Sequence, residues 1–313
     1  MRKRNLGKSH LQVVPLMFGG NVFGWTADEA TSFSILDALT DAGLNFVDTA
    51  DVYSAWVSGN HGGESETIIG KWFAKSGKRD KVVLSTKVGM LASRKGLSAG
   101  NIRAAVEDSL RRLQTDYIDI YFSHLDDEEA PLAETLGAYQ QLVEAGKVRV
   151  IGASNHSGAR LLEALKVSRD NGLLEYQVIQ PEYNLYDRAA YETDLEPVAL
   201  AERLGVVCYY SLASGFLSGK YRSREDLKKS ARGAKVEAYL NERGFAILDA
   251  LHEIAARHHS TPASVALAWL IARPGITAPI ASATSVEQLE SLVAAVDLNL
   301  TDADLRALND ASA

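Results

Sequence analysis

The sequence predicts an α/β fold, a (β/α)8 TIM barrel with an N-terminal β-hairpin and long βα loops. Three observations lead there. Eight short apolar runs rich in β-branched residues recur along the chain, as strands buried on both faces should. Longer segments with helical apolar periodicity separate them. No linker or low-complexity tract interrupts the alternation, so residues 1–313 read as one domain. With 46% hydrophobic residues, the chain has ample material for a large core.

Residues 1–12 are too polar for a barrel strand and are expected to form a small hairpin closing the barrel floor. The strand candidates follow in order: VVPLMFGG (13–20), NFVD (45–48), KVVLSTK (81–87), YIDIYFS (117–123), VRVIGAS (148–154), YQVIQ (176–180), VVCYYS (206–211) and ITAPIAS (276–282). Between the first two lies TADEATSFSILDALTDAG, a helix with Thr26 or Asp28 as cap and Gly43 as its stop. Phe33, Leu36, Leu39 and Thr40 mark its inner face. SAGNIRAAVEDSLRRL, PLAETLGAYQQLVEAGK and SGARLLEALKVSRDNG repeat the logic. Segments 54–63 and 214–235 are longer than simple connections, and a helix-rich stretch at 238–273 precedes the eighth strand. Long loops on such a scaffold often carry function.

The net charge of −7 argues against a nucleic-acid partner, which needs clustered positive charge. Cys208 is the sole cysteine and sits in the apolar run VVCYY, so it reads as a packing thiol. With no disulfide possible within the chain, a reducing cytoplasm fits. The basic start MRKRNLGKSH is followed by no apolar signal region, and no run is long enough to span a bilayer. Neither the adjacent His258 and His259 nor the His61/Glu64 pair offers a credible metal site, and none is expected.

The chemistry lies at strand ends. Asp48 closes the second strand and Tyr53 follows it; Lys87 closes the third; His124 follows the fourth. In a parallel barrel these ends converge on one mouth. A tyrosine is a weak acid, and a nearby ammonium favours its phenolate. A carboxylate beside the lysine keeps that lysine charged, and a histidine on the same rim can orient a carbonyl. Together the four can deliver a proton to a ketone or aldehyde. A hydride must come from a cofactor, since side chains supply none. The glycines of GGNVFG and GGESETIIG lack the strand–turn–helix context of a Rossmann fingerprint. Ser154, Asn155 and Gln180 at later strand ends can bind an amide such as a nicotinamide carboxamide. Tyr210 can stack on a flat ring. Phe23, Trp25 and Trp56 lie in loops expected to wall the substrate pocket.

NFVDTADVY, STK, DIYFSH, GASN, QPEYNLYDR, YYSLASGFLSGK and PASVALAWLIARPGI, in this order and spacing, resemble the aldo-keto reductase superfamily over nearly the full chain. The resemblance implies a barrel that binds extended NAD(P)H without a Rossmann domain. It implies Tyr53 as general acid–base, Asp48 and Lys87 as its tuners, and His124 as carbonyl orienter. It places the carboxamide on Ser154, Asn155 and Gln180, and the nicotinamide on Tyr210. The run containing Ser211, Leu212, Gly215, Leu217, Gly219 and Lys220 would track the pyrophosphate. Gly20, Asn21, Arg232, Ser282, Thr284 and Gln288 complete the expected cofactor set.

At the adenine end many relatives carry Gly-Ala-Arg, where this chain has Ser282-Ala283-Thr284, and an asparagine where it has Leu292. The arginine that grips the 2′-phosphate is absent, which weakens the case for NADP over NAD; with the Ser282 and Thr284 hydroxyls able to bind phosphate, NADPH is the expected cofactor and NADH stays open. Lys220, Arg222, Lys228, Lys229 and Arg232 are alternative phosphate ligands. The expected reaction is reduction of aldehydes or ketones, by a monomer. An NAD-linked alcohol or sugar dehydrogenase is the alternative. A cofactor-sensing subunit, like those superfamily members that accompany potassium channels, is a remoter one.

Overall fold

A computed structural model describes residues 1–229 and 233–313. Strands β1 (Arg4–Asn5) and β2 (Gln12–Val13) pair antiparallel as a hairpin. The other eight are β3 (Met17–Gly19), β4 (Phe46–Asp48), β5 (Val83–Val88), β6 (Ile118–Ser123), β7 (Val148–Ser154), β8 (Val178–Gln180), β9 (Gly205–Cys208) and β10 (Ile276–Ala281). They close in that order into an all-parallel barrel, with β10 beside β3.

Helices α1 (Glu29–Asp41), α2 (Glu64–Ser76), α3 (Ala99–Leu113), α4 (Leu132–Glu144), α5 (Gly158–Asn171) and α6 (Glu196–Glu202) fill the crossovers up to β9. Then come the single turn α7 (Gly233–Val236), α8 (Glu242–Arg257), α9 (Pro262–Ala272), α10 (Val286–Asp297) and α11 (Asp302–Ala311). Asp28, not Thr26, caps α1: its carboxylate accepts from the Thr31 N–H. Ser98 and Ser157 cap α3 and α5 in the same way.

Several strands differ from their runs by one or two residues, β5 and β8 each starting two residues late, and three more show larger irregularities. The run 13–20 is split, with Val13 in the hairpin and Met17–Gly19 in the barrel. Pro15 lies at the break, where a residue without an N–H cannot continue a ladder. The run 206–211 stops at Cys208, because Tyr210 takes a left-handed backbone (φ 51°) that no strand accommodates. β10 carries Pro279 internally, and its register against β9 shifts between Ile276 and Ala278.

The barrel interior is an apolar cluster that includes Met17, Phe46, Ile120, Phe122, Val150, Val178 and Val207. Leu6, Leu11 and Val13 of the hairpin plug it from below. The larger cluster fills the layer between sheet and helices. We predict that Leu6→Ala, which opens a void under the plug, costs roughly 2–5 kcal/mol. Urea unfolding checks this, and an unchanged midpoint would show that the hairpin is dispensable. With the floor sealed, the C-terminal strand ends form the reachable face, where such barrels carry their chemistry.

Candidate active site

Asp48, Lys87 and Tyr53 meet directly. Asp48 ends β4 and is buried; Lys87 ends the inward face of β5 and is buried completely. The Lys87 ammonium donates to Asp48 Oδ2 at 2.6 Å, to the Thr49 carbonyl at 2.8 Å and to the Tyr53 hydroxyl at 2.7 Å. All three of its protons are thereby used. The Tyr53 hydroxyl also lies 3.0 Å from Asp48 Oδ2. The other Asp48 oxygen accepts from the Ser85 hydroxyl at 2.6 Å and from the Gln180 amide at 3.2 Å. Burial pulls Lys87 below its ordinary pKa, and Asp48 opposes that pull. Only Tyr53 of the three is partly open to the mouth.

His124 follows β6, its ring edge-on to Tyr53 with centroids 6.1 Å apart. Burial, and secondarily the Lys87 ammonium, hold its imidazole well below the usual range, so it is neutral at physiological pH. A neutral ring offers one N–H and one lone pair. Trp56 is half exposed and packs edge-on to Trp25 at 5.6 Å and to Tyr53 at 6.2 Å. Phe23, expected on the same wall, lies elsewhere. It is fully buried and stacked on Phe18 in the layer under the helices, so it faces no pocket.

The amide-binding candidates share a neighbouring rim. Asn155 (φ 54°) follows β7, and its Nδ2 donates to the His124 carbonyl at 2.8 Å and to Ser154 Oγ at 3.2 Å. Its Oδ1 accepts from the Tyr209 hydroxyl at 2.8 Å. Ser154 Oγ spends its own proton on the Gln180 carbonyl. Among the described residues this rim has left one lone pair on Asn155 Oδ1, acceptor capacity on Ser154, and the second amide N–H and the amide oxygen of Gln180. Those complement the NH2 and C=O of a primary carboxamide. Tyr210 stands beside them with its ring part exposed; Asn184 Nδ2 donates to its carbonyl at 3.1 Å and fixes the strained backbone. Lys235 reaches over this ring, its ammonium 5.7 Å from the centroid.

After Tyr210 the chain makes consecutive left-handed residues at Ala213, Ser214 and Gly215. Leu212 and Gly215 are partly open, Gly219 sits at φ 82°, and Lys220 is exposed. Leu217 is fully buried and Ser211 is tied to the Cys208 carbonyl, so neither presents its side chain. On the far side, Gly20 is buried, and the Ser282 hydroxyl donates to Asn21 Oδ1 at 2.7 Å. Thr284 bonds Gln288 across the first turn of α10. Several loop cations are paired: Arg222 with Asp249, Lys229 with Asp226. Arg232 lies outside the described residues.

Sequence reasoning missed Ser85, Thr49 and Tyr209. Ser85 was legible, since it sits two residues before Lys87 on the same face of a strand. It also missed a buried cluster behind Lys87. Glu66 on α2 accepts from Arg112 Nε and from the Thr86 hydroxyl, each at 2.6 Å. Asp51 lies nearby, buried, and neither carboxyl oxygen makes a well-formed hydrogen bond among the described residues. Burial, with Glu66 adding to it, pushes the Asp51 carboxyl up to about 8.

The Aldo/keto reductase family model matches residues 15–313, and the chain belongs to that family. It is 40% identical to the uncharacterized oxidoreductase YrpG of Bacillus subtilis (strain 168), over 97% of this chain and 94% of the relative. It is 33% identical to a probable voltage-gated potassium channel subunit beta of Arabidopsis thaliana, over 95% and 92%. The aldo-keto reductase YhdN of Bacillus subtilis (strain 168) is 32% identical, over 93% and 86%. The protein is thus an NAD(P)-dependent oxidoreductase that acts on carbonyl groups of small molecules. No helix among the described residues is long and apolar enough to cross a membrane.

Proposed function

We propose that the protein reduces an aldehyde or ketone to the alcohol, with Tyr53 as proton donor. The observation that supports this most is the Lys87 ammonium bridging Asp48 and the Tyr53 hydroxyl. When bound, reduced nicotinamide supplies hydride from C4 to the carbonyl carbon. The residues present suit such a group: Ser154, Asn155 and Gln180 would take the carboxamide, and Tyr210 the ring face.

The substrate oxygen enters beside the Tyr53 hydroxyl. Neutral His124 donates its N–H to that oxygen and sets its direction. As negative charge develops on the oxygen, Tyr53 gives up its proton, and the Lys87 ammonium stabilises the phenolate left behind. Asp48 keeps Lys87 charged and aimed. Trp25 and Trp56 exclude water over the reacting carbon. Run backwards, Tyr53 is the base for an alcohol.

For the cofactor the reading takes NADPH, with exposed Lys220 and the N-terminal turn of α10 near the adenylate end. Titration by tryptophan fluorescence should give a lower Kd for NADPH than for NADH. Tighter NADH binding would move the assignment to an oxidative alcohol or sugar dehydrogenase. A panel of aldehydes, ketones and sugars run with both cofactors tests the reaction itself. The similarity to a potassium channel subunit beta supports a second reading, a cofactor-sensing channel subunit. Negligible turnover on that panel, with stable co-purification of a membrane protein, would favour it.

A further inference from the structure

The segment from Asp48 to Tyr53 wraps the Lys87 head group. Lys87 Nζ bonds Asp48, the Thr49 carbonyl and the Tyr53 hydroxyl, and the Asp51 N–H points at the Lys87 carbonyl, 3.4 Å away. Asp51 therefore sits in the middle of the loop whose two ends hold the ammonium. Its carboxyl is about 1% exposed, and neither oxygen makes a well-formed hydrogen bond among the described residues; the adjoining Val52 N–H is the donor that bears on it. A buried carboxyl so poorly satisfied is unusual enough to require an explanation.

The groups that face it come from every neighbouring element. Glu66 on α2 is an anion already paired with Arg112 on α3. Lys87 on β5 is the nearest cation of the active site, and Tyr121 on β6 and Tyr139 on α4 add neutral phenols. Arg112 and Lys87 both favour an ionised Asp51, Arg112 the more strongly, and Lys87 is the one of the two that bonds Tyr53. The influence runs both ways: Lys87 favours the Asp51 anion, and the anion favours the Lys87 ammonium.

We propose that Asp51 is a positioning residue whose protonation state sets how strongly Lys87 acidifies Tyr53. This rests on Tyr53 being the proton donor. As the neutral acid, Asp51 leaves the Lys87 charge to Asp48 and the phenol oxygen. As the carboxylate, it adds a second negative charge beside the pair, offsets the pull of Lys87, and keeps the phenol protonated to higher pH. Since the carboxyl is pushed up to about 8, the change falls where enzyme can work. Reduction needs the phenol and oxidation the phenolate, so ionised Asp51 favours reduction under alkaline conditions.

The test compares wild type with Asp51→Asn, which holds the neutral state. The alkaline limb of carbonyl reduction and the rise of alcohol oxidation should both move down by roughly half to one pH unit. That makes oxidation near pH 8.5 about three- to tenfold faster in the variant. Without cofactor, the phenolate absorbance of Tyr53, read as a difference against Tyr53→Phe, should appear at correspondingly lower pH. Superimposable profiles, or a shift the other way, overturn the proposal; a purely structural role would scale rates without moving the limbs. If Asp51→Asn does not fold, infrared titration of 13C-aspartate wild type decides, because a protonated carboxyl band must persist above about pH 6. Its absence overturns the proposal. If instead Tyr53→Phe keeps full turnover, the proton-donor reading fails while the Asp51 band stays where it is, so the two failures are distinct.

Discussion

Tyr53→Phe should lower carbonyl reduction by roughly 10²–10⁴-fold in turnover while NADPH affinity changes little. The substitution removes one oxygen from the mouth and leaves the rest. The ring stays against Trp56 and His124, whose contacts with it are edge-on ring packing. The Lys87–Asp48 pair survives at 2.6 Å with the Thr49 carbonyl as a further acceptor, so no buried charge is orphaned. What is lost is the partly exposed proton donor polarised by the ammonium. The loss corresponds to about 3–5 kcal/mol of transition-state stabilisation. Cofactor affinity is spared because the carboxamide and ring candidates stand on β7, β8 and the segment after β9, apart from Tyr53. Single-turnover kinetics with a good aldehyde, beside fluorescence titration of cofactor, separates the two effects. Wild-type turnover in the variant would remove Tyr53 from the chemistry.

How much of this was legible in the chain follows from geometry. The end of a short buried strand can be read from its last apolar residue, and a parallel barrel brings all such ends to one mouth. Asp48, Lys87 and His124 were placed that way, and the Asp48–Lys87–Tyr53 contact follows. The amide rim was read from Ser154, Asn155 and Gln180 by the same rule. What stayed hidden depended on backbone turns and on pairs far apart in the chain. Tyr210 leaves the strand line only because its φ is 51°. Phe23 reads as a loop aromatic beside Trp25, yet the tight turn through Gly24 sends one ring inward and the other to the mouth. Asp51 looks like one more polar residue in DTADVY. Its burial is apparent only once α2 and α3 are packed behind it, bringing Glu66 and Arg112 across 46 residues of chain.

That cluster makes the other large prediction. Arg112→Met should destabilise the fold by about 3–5 kcal/mol, the cost typical of removing one partner from a buried ion pair. Glu66 is fully buried, and among the described residues Thr86 would be its one remaining donor. The arginine stem also packs on Gly63, where even a β-carbon would come within 2.4 Å of it, so methionine keeps much of the apolar contact while removing the charge. The loss should depend on pH, and the sign follows from Asp51. Its pKa is raised from 3.8 in the unfolded chain to about 8 in the fold. Between those values the native state holds a proton that the unfolded state has released, so stability falls as pH rises through this window and levels off above it. Arg112 favours the Asp51 anion, so removing it raises that carboxyl further and extends the falling limb to higher pH. Urea unfolding at pH 5 and pH 8.5 should therefore show a larger deficit for Arg112→Met at the higher pH. An equal deficit at both would mean that Asp51 does not sense the arginine. The double variant Glu66→Gln/Arg112→Met should recover a good part of the loss, because it removes the uncompensated anion together with its partner.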